Sequence, residues 1–157
     1  MTLSKKAVRP AQTSFLLANG ILPISLDYRL CPEVNLIDGP MADVRDAYAW
    51  AQSPSRTGLQ SILHSKGSMV EVDRAKVVVI GWSTGGHLAM TTAWTTKEAG
   101  LPPPTAILSF YSPNDFESGG KLFNLYCNCV DACQCLLCCP CCIVMFRMQS
   151  WEMFHEG

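Results

Sequence analysis

Charge is scarce in this chain, and the little there is nearly cancels: 16% of the 157 residues are charged, 12 basic against 13 acidic, for a formal net charge of −1. Nucleic-acid binding needs a concentrated basic face. Lys5, Lys6 and Arg9 form only a small N-terminal cluster, which reads as a solvated face. A secretory signal is also not read, because residues 1–20 hold no uninterrupted apolar core followed by a cleavage site. The longest late stretch without a charge or an amide side chain, residues 135–146, is too short to cross a bilayer, which takes ~20 apolar residues. A cytoplasmic protein with no transmembrane segment and no nucleic-acid partner is expected. Histidine is limited to three residues, and outside one late segment cysteine is limited to Cys31. A disulfide-stapled secreted domain spreads its cysteines through its loops, so that class is excluded.

What is present is an apolar, globular composition, 48% hydrophobic, in a chain long enough for one domain with a real core. Two compositions are joined. Residues 1–118 carry clear periodicities. Residues 119–157 show no period of 2 or 3.6, and eight of the nine cysteines fall between Cys127 and Cys142. We read an ordered domain over 1–118 and an irregular cysteine-rich tail over 119–157.

Along the first part, Pro10 opens a helix over residues 11–18, which Asn19-Gly20 stops. Residues 21–26 read as an apolar strand and 27–33 as a loop closed by Pro32. Gly39-Pro40 leads into a helix over about 41–52, with Met41, Val44, Tyr48 and Ala51 on one face. A turn follows over 53–58, then a short helix over 59–64, a strand over 76–80, a helix over 84–98 and a strand over 105–110. Ser112-Pro113-Asn114-Asp115 reads as the turn after it. Helix and strand alternate, which argues for a parallel sheet with helices on its faces. Each strand is a continuous apolar run, as strands covered on both sides are.

One motif carries chemistry. Gly81-Trp82-Ser83-Thr84-Gly85 is a G-x-S-x-G directly after Val77-Val78-Val79-Ile80 and directly before a helix. Strand, sharp turn and helix are the setting in which such a serine is exposed as a nucleophile. The glycines at 81, 85 and 86 suit a place where strand, turn and helix approach closely. A serine hydroxyl needs a histidine to take its proton, a carboxylate to orient that histidine, and N–H donors for the oxyanion. Ser83 is the candidate nucleophile and the Thr84 N–H one oxyanion donor. The order along such a chain is serine, acid, histidine. Asp115 is the acid candidate, although its position also suits a turn; Glu117 and Asp131 have no better claim. His155 is the base candidate by order. His64 precedes the elbow and reads as a surface residue. His87, one turn beyond Ser83, reads as a packed or hydrogen-bonded helix residue.

Asp27-Tyr28-Arg29-Leu30-Cys31-Pro32-Glu33, then Asp43 and Trp50, then Gly81-Trp82-Ser83-Thr84-Gly85-Gly86-His87-Leu88-Ala89 resemble the hormone-sensitive-lipase-like branch of the α/β-hydrolase superfamily. The likeness is closest to hydrolase domains found with fungal polyketide synthases and to feruloyl-esterase-like relatives, and covers residues 1–118. It implies an α/β fold, a partial α/β-hydrolase with a mostly parallel sheet and helices on both faces. It also implies hydrolysis of a carboxylic ester or thioester through an acyl-serine, with no cofactor. The substrate would be a small-molecule ester or a carrier-bound acyl thioester, in fungal polyketide metabolism.

Two departures weigh against full activity. Members carry an H-G-G-G loop after an earlier strand, and their acid and histidine lie on loops after two further strands. Only Ser83 carries over residue by residue. A truncated member, weakly active or inactive, is therefore expected, and Gly120-Lys121 can be encoded by the start of a retained intron. Two rivals are a non-catalytic remnant serving as an interaction domain and a tail that binds soft metal ions through thiolates. No metal site is assigned, because the cysteine spacing lacks paired C-x2-C motifs across a spacer. A bare sheet edge beside residues 21–26 is expected to favour self-association.

Overall fold

The computed structural model of the chain describes residues 10–112 and the strand Cys142–Met148. Helix α1 spans Pro10–Ala18 and runs through Asn19-Gly20 into strand β1, Ile21–Leu26. Pro10, lacking an N–H, sits at the first helical position, where none is needed. Gly20 takes φ +68 at the exit of α1, a left-handed conformation that glycine adopts without cost. After the loop of residues 27–36, a five-residue π-helical turn, Ile37–Met41, carries Pro40 and leads into α2, Ala42–Gln52. Helix α3 is Leu59–Ser65, strand β2 is Val72–Trp82, helix α4 is Thr84–Glu98, strand β3 is Ala106–Phe110 and strand β4 is Cys142–Met148.

The described sheet has the order β1-β4-β2-β3. Strands β2 and β3 are parallel neighbours. Strand β4 pairs antiparallel with both β1 and β2, so β1, β2 and β3 all run the same way, as a helix-strand alternation dictates. Residues alternate between the two faces of β2. Val77 and Val79 pack with Leu88 and Ala89 of α4 and Val44 and Tyr48 of α2. Ile80, with Val78 and Trp82, packs on the other face with Leu16 of α1. Helices therefore cover both faces, as expected.

The aperiodic reading of the tail fails at residues 142–148, which form a central strand and not an irregular coil. Ile24 and Val79 both take Val144 as their partner in the ladder. The reason is local: Ile143, Val144 and Phe146 are residue types that favour the pleated backbone. A strand flanked on both sides inside a covered sheet needs no polar alternation.

Strand β2 is longer than its apolar run because a bulge joins two pairing segments. Asp73 pairs with Arg147 and Val77 with Phe146, so residues 74–76 have no counterpart on β4. Two side chains support the extra residues. Ala75 N donates to Asp73 Oδ1 at 3.0 Å, and Thr105 Oγ1 donates to Ala75 O at 3.0 Å. Several buried polar side chains elsewhere are likewise paired. Val72 N donates to Gln60 Oε1 at 2.9 Å while Gln60 Nε2 donates to Val70 O at 2.8 Å, which docks α3 on the start of β2. Buried Thr91, Thr92, Thr95 and Thr96 turn their hydroxyls back to carbonyls one turn earlier on α4, at 2.6 to 3.0 Å. The Tyr48 hydroxyl donates to Pro102 O at 2.9 Å, and burial pushes its pKa up.

The loop after β1 is tied to α2 by one ion pair. Arg29 Nη2 lies 2.7 Å from Asp43 Oδ1, and Arg29 N donates to Asp43 Oδ2 at 2.8 Å. Hydrogen bonding from the Arg29 side chain holds the Asp43 carboxyl below the ordinary aspartate value. A carboxyl depressed in the folded state stabilises the fold above its unfolded pKa, and loses that contribution as pH falls through the folded one. Asp43→Asn is therefore expected to be less stable than the parent at pH 7. The gap should close as pH drops below about 3.9, the unperturbed aspartate value. Urea denaturation at a series of pH values measures it; equal stabilities at pH 7 would show the ion pair to be idle.

Candidate active site

The turn between β2 and α4 is the tightest point of the chain. Ser83 has φ 53 and ψ −125, a backbone region suited to glycine at the first corner of a type II′ turn. Holding a residue with a Cβ there costs of order 1–3 kcal/mol. Three backbone hydrogen bonds hold it. Ser83 N donates to Phe110 O at 3.0 Å, and Ser83 O accepts from Gly86 N at 2.9 Å and His87 N at 3.2 Å. The first joins the turn to the end of β3; the other two begin α4.

Two glycines permit this geometry. A Cβ on Gly81 would collide with the carbonyl of Gly85. A Cβ on Gly86 would lie 2.8 Å from Ser109 Oγ, 2.8 Å from Ser112 Cβ and 3.0 Å from Gly81 O. Strand β2 thus approaches the first turn of α4 backbone to backbone, and the end of β3 closes the other side. Ser109 and Ser112 hydroxyls hydrogen-bond each other at 2.5 Å there. That serine pair was not singled out in the sequence; the only signal was two small polar residues flanking an apolar strand end.

Ser83 itself is half-buried, and Thr84, Gly85 and Gly86 are buried behind it. The Thr84 N–H lies in the first turn of α4, where the aligned peptide dipoles favour negative charge. Ser83 and Thr84 are therefore brought together at one helix N-terminus. Asp115, Glu117, Asp131 and His155 lie outside the described residues. His64 is on α3, half-exposed, with Nε2 2.8 Å from Gln60 Nε2 and 3.0 Å from Glu71 Oε1. His87 sits in the first turn of α4, half-buried.

The charged pair Arg29–Asp43 belongs to the D-Y-R loop and holds it on α2. Cys31 and Pro32 of the same loop are joined by a cis peptide bond, and Cys31 is a free thiol. Among the described residues no cluster of three His, Cys, Asp or Glu side chains could hold a metal ion. The tail cysteines from 127 to 141 lie outside those residues. No helix among them is long and apolar enough to cross a membrane.

Comparison with known proteins agrees with this architecture. A family model described as the alpha/beta hydrolase fold matches residues 14–127. The chain is 65% identical over 119 residues to a non-reducing polyketide synthase of Preussia isomera, covering 76% of the chain and 5% of that protein. It is 62% identical over 117 residues to a non-reducing polyketide synthase of Acremonium egyptiacum, covering 74% and 5%. A third, from Stereocaulon alpinum, is 62% identical over 118 residues, covering 75% and 4%. The chain thus spans about one twentieth of the length of these relatives. No solved structure matches.

The glycine contacts make a direct prediction. Gly81→Ala forces a side-chain atom against the backbone of Gly85, which cannot rotate away. The expected loss is about 3 kcal/mol, the upper end for overpacking, read as a lowered midpoint in thermal or urea denaturation. A midpoint unchanged from the parent would mean that strand and helix do not meet as closely as described.

Proposed function

From the premise that the chain belongs to the α/β-hydrolase fold family, we propose that it is the nucleophile-bearing part of a serine acyl hydrolase or acyl transferase. Ser83 is the nucleophile and the Thr84 N–H is one oxyanion donor. The observation that carries the reading is the Ser83 backbone, at φ 53 and ψ −125 between β2 and α4. Strain of this kind concentrates at sites where it is part of the mechanism, and a strand-turn-helix serine in a G-x-S-x-G is the setting in which the hydroxyl is presented to a substrate.

The reaction follows from these groups. The Ser83 oxygen attacks the acyl carbon of an ester or thioester. The carbonyl oxygen becomes an oxyanion at the N-terminal end of α4, where the Thr84 N–H and the helix dipole stabilise it. The carbon–oxygen or carbon–sulfur bond then breaks. The leaving alkoxide or thiolate takes up the proton that the serine released, through a histidine acting as base and then acid. His155 and Asp115 are the candidate histidine and carboxylate. Water, or a second alcohol or thiol, finally takes the acyl group from Ser83.

The relatives are named as polyketide synthases, which supports an acyl chain of polyketide type on a carrier thioester as the substrate class. A second reading is a non-catalytic interaction domain, because Asp115 and His155, the acid and base candidates, lie outside the described residues.

A fluorophosphonate probe separates the two. It should form a stoichiometric adduct on Ser83 in the purified chain, located by peptide mass spectrometry, and none in Ser83→Ala. An unlabelled Ser83 in a chain that melts cooperatively would favour the interaction domain.

A further inference from the structure

The described sheet ends in β1 on one side and β3 on the other, and the two edges are not alike. An open strand edge offers unpaired N–H and C=O groups to a second strand, and proteins blunt such edges with proline, charge or bulges. In β1, Gly20 O accepts from Met148 N at 2.8 Å, one step before the Ile21–Arg147 pair. Backbone groups alternate in direction along an antiparallel pair. Leu22 and Ile24 therefore turn theirs to β4, while Ile21, Pro23 and Ser25 turn theirs outward. Pro23, in the middle of that outward set, has no N–H to donate. The β1 edge is blunted.

Strand β3 has none of these devices. Phe110 O accepts from Ser83 N at 3.0 Å, beside the Trp82–Phe110 pair. The same alternation turns the backbone of Ala106 and Leu108 to β2 and that of Ile107 and Ser109 outward. No proline lies within Ala106–Phe110, and no charged residue lies from Ala99 to Asn114. Leu108 and Phe110 are each 43% exposed, and Ala106 is exposed beside them.

The strand is also complementary to itself. Antiparallel pairing about a two-fold axis at Leu108 sets Ile107 opposite the second copy's Ser109, and Ser109 opposite its Ile107. These are the outward-facing residues, so each pair exchanges both of its N–H···O=C bonds. Between them Leu108 meets Leu108, in the kind of pair where side chains come closest. Ala106 meets Phe110 on either side, a small residue against a large one. An axis at Ile107 or Ser109 would leave part of the strand unpaired. Neither edge carries charge, so two copies approach without the like-charge repulsion that opposes such pairing.

We propose that β3 is the interface of a homodimer, in which two copies of this chain join edge to edge, antiparallel about Leu108, into one continuous sheet. The proposal is independent of the reading of Ser83. A pairing confined to one strand edge is small, so the dimer belongs with weak interfaces that dissociate on dilution.

The test is sedimentation velocity of the full chain over a dilution series from high to low micromolar, with reductant present to keep thiols from cross-linking. The parent should pass from dimer to monomer. Leu108→Lys and Leu108→Glu each set like charges against each other at the axis, and each should raise the dissociation constant roughly tenfold or more. An equal mixture of the two variants should restore a one-to-one dimer, because Lys then faces Glu. A parent monomeric throughout, a dimer indifferent to both substitutions, or a mixture that stays monomeric would overturn the proposal.

A second measurement needs no variant. In the parent, hydrogen exchange at the Ile107 and Ser109 amides should slow as concentration rises through the dimer range, while the Leu108 amide, turned to β2, stays protected at every concentration. Exchange at Ile107 and Ser109 that ignores concentration would overturn the β3 interface.

Discussion

A single backbone contact organises the described part of this molecule: β2 runs into α4 so closely that Gly81 and the carbonyl of Gly85 leave no room for a side chain between them. That approach forces the chain through a corner at Ser83, and the corner is tolerated only because both of its arms are independently secured. One arm is a strand with neighbours on either side. The other is a fifteen-residue helix whose inner face is wholly buried and whose four buried threonines are satisfied by their own backbone. Strain at one residue is small against the burial of Val77, Val79, Leu88 and Ala89 that it makes possible. A strained position is thus a by-product of packing a helix directly on the strand that precedes it.

The sheet adds a second constraint. Strand β4 begins at Cys142, beyond residue 127 where the family match ends, yet it pairs with β1 on one side and β2 on the other. The ladders of the two matched strands are therefore completed by a segment outside the match, running against them. The bulge at residues 74–76 lies where β2 passes from one pairing segment with β4 to the next. Pairing specificity in a sheet comes largely from side-chain patterning, and an apolar run with two apolar neighbours meets that requirement in either direction.

Much of this was legible in the residues. Helix α4 and strand β1 have the bounds read from the sequence, because each lies between strong signals: Gly20 and the polar loop for β1, the glycine turn and Ala99-Gly100 for α4. The buried face of α2 is the one its spacing gave, with Val44, Tyr48 and Ala51 at most 2% exposed. Strand β2 was read too short because Val72, Asp73, Arg74, Ala75 and Lys76 mix charge into the strand. Only the bulge, pinned by Asp73 and Thr105, lets them extend it. Strand β4 was missed because the cysteines around it obscured a seven-residue run with neither period nor turn signals. At the site, G-x-S-x-G identified the strained serine, but nothing local announced that Tyr111 would also take a positive φ, 40.

The strain at Ser83 can be measured without reference to any substrate. Ser83→Gly removes the Cβ from a conformation that costs about 1–3 kcal/mol, against a glycine entropy penalty of roughly 0.5–1 kcal/mol in the unfolded chain. The variant should therefore unfold at a higher midpoint, by about 1 kcal/mol in reversible urea or thermal denaturation. A variant less stable than the parent would mean that Ser83 sits in an ordinary backbone conformation, and that the turn between β2 and α4 is not the strained corner on which the site depends.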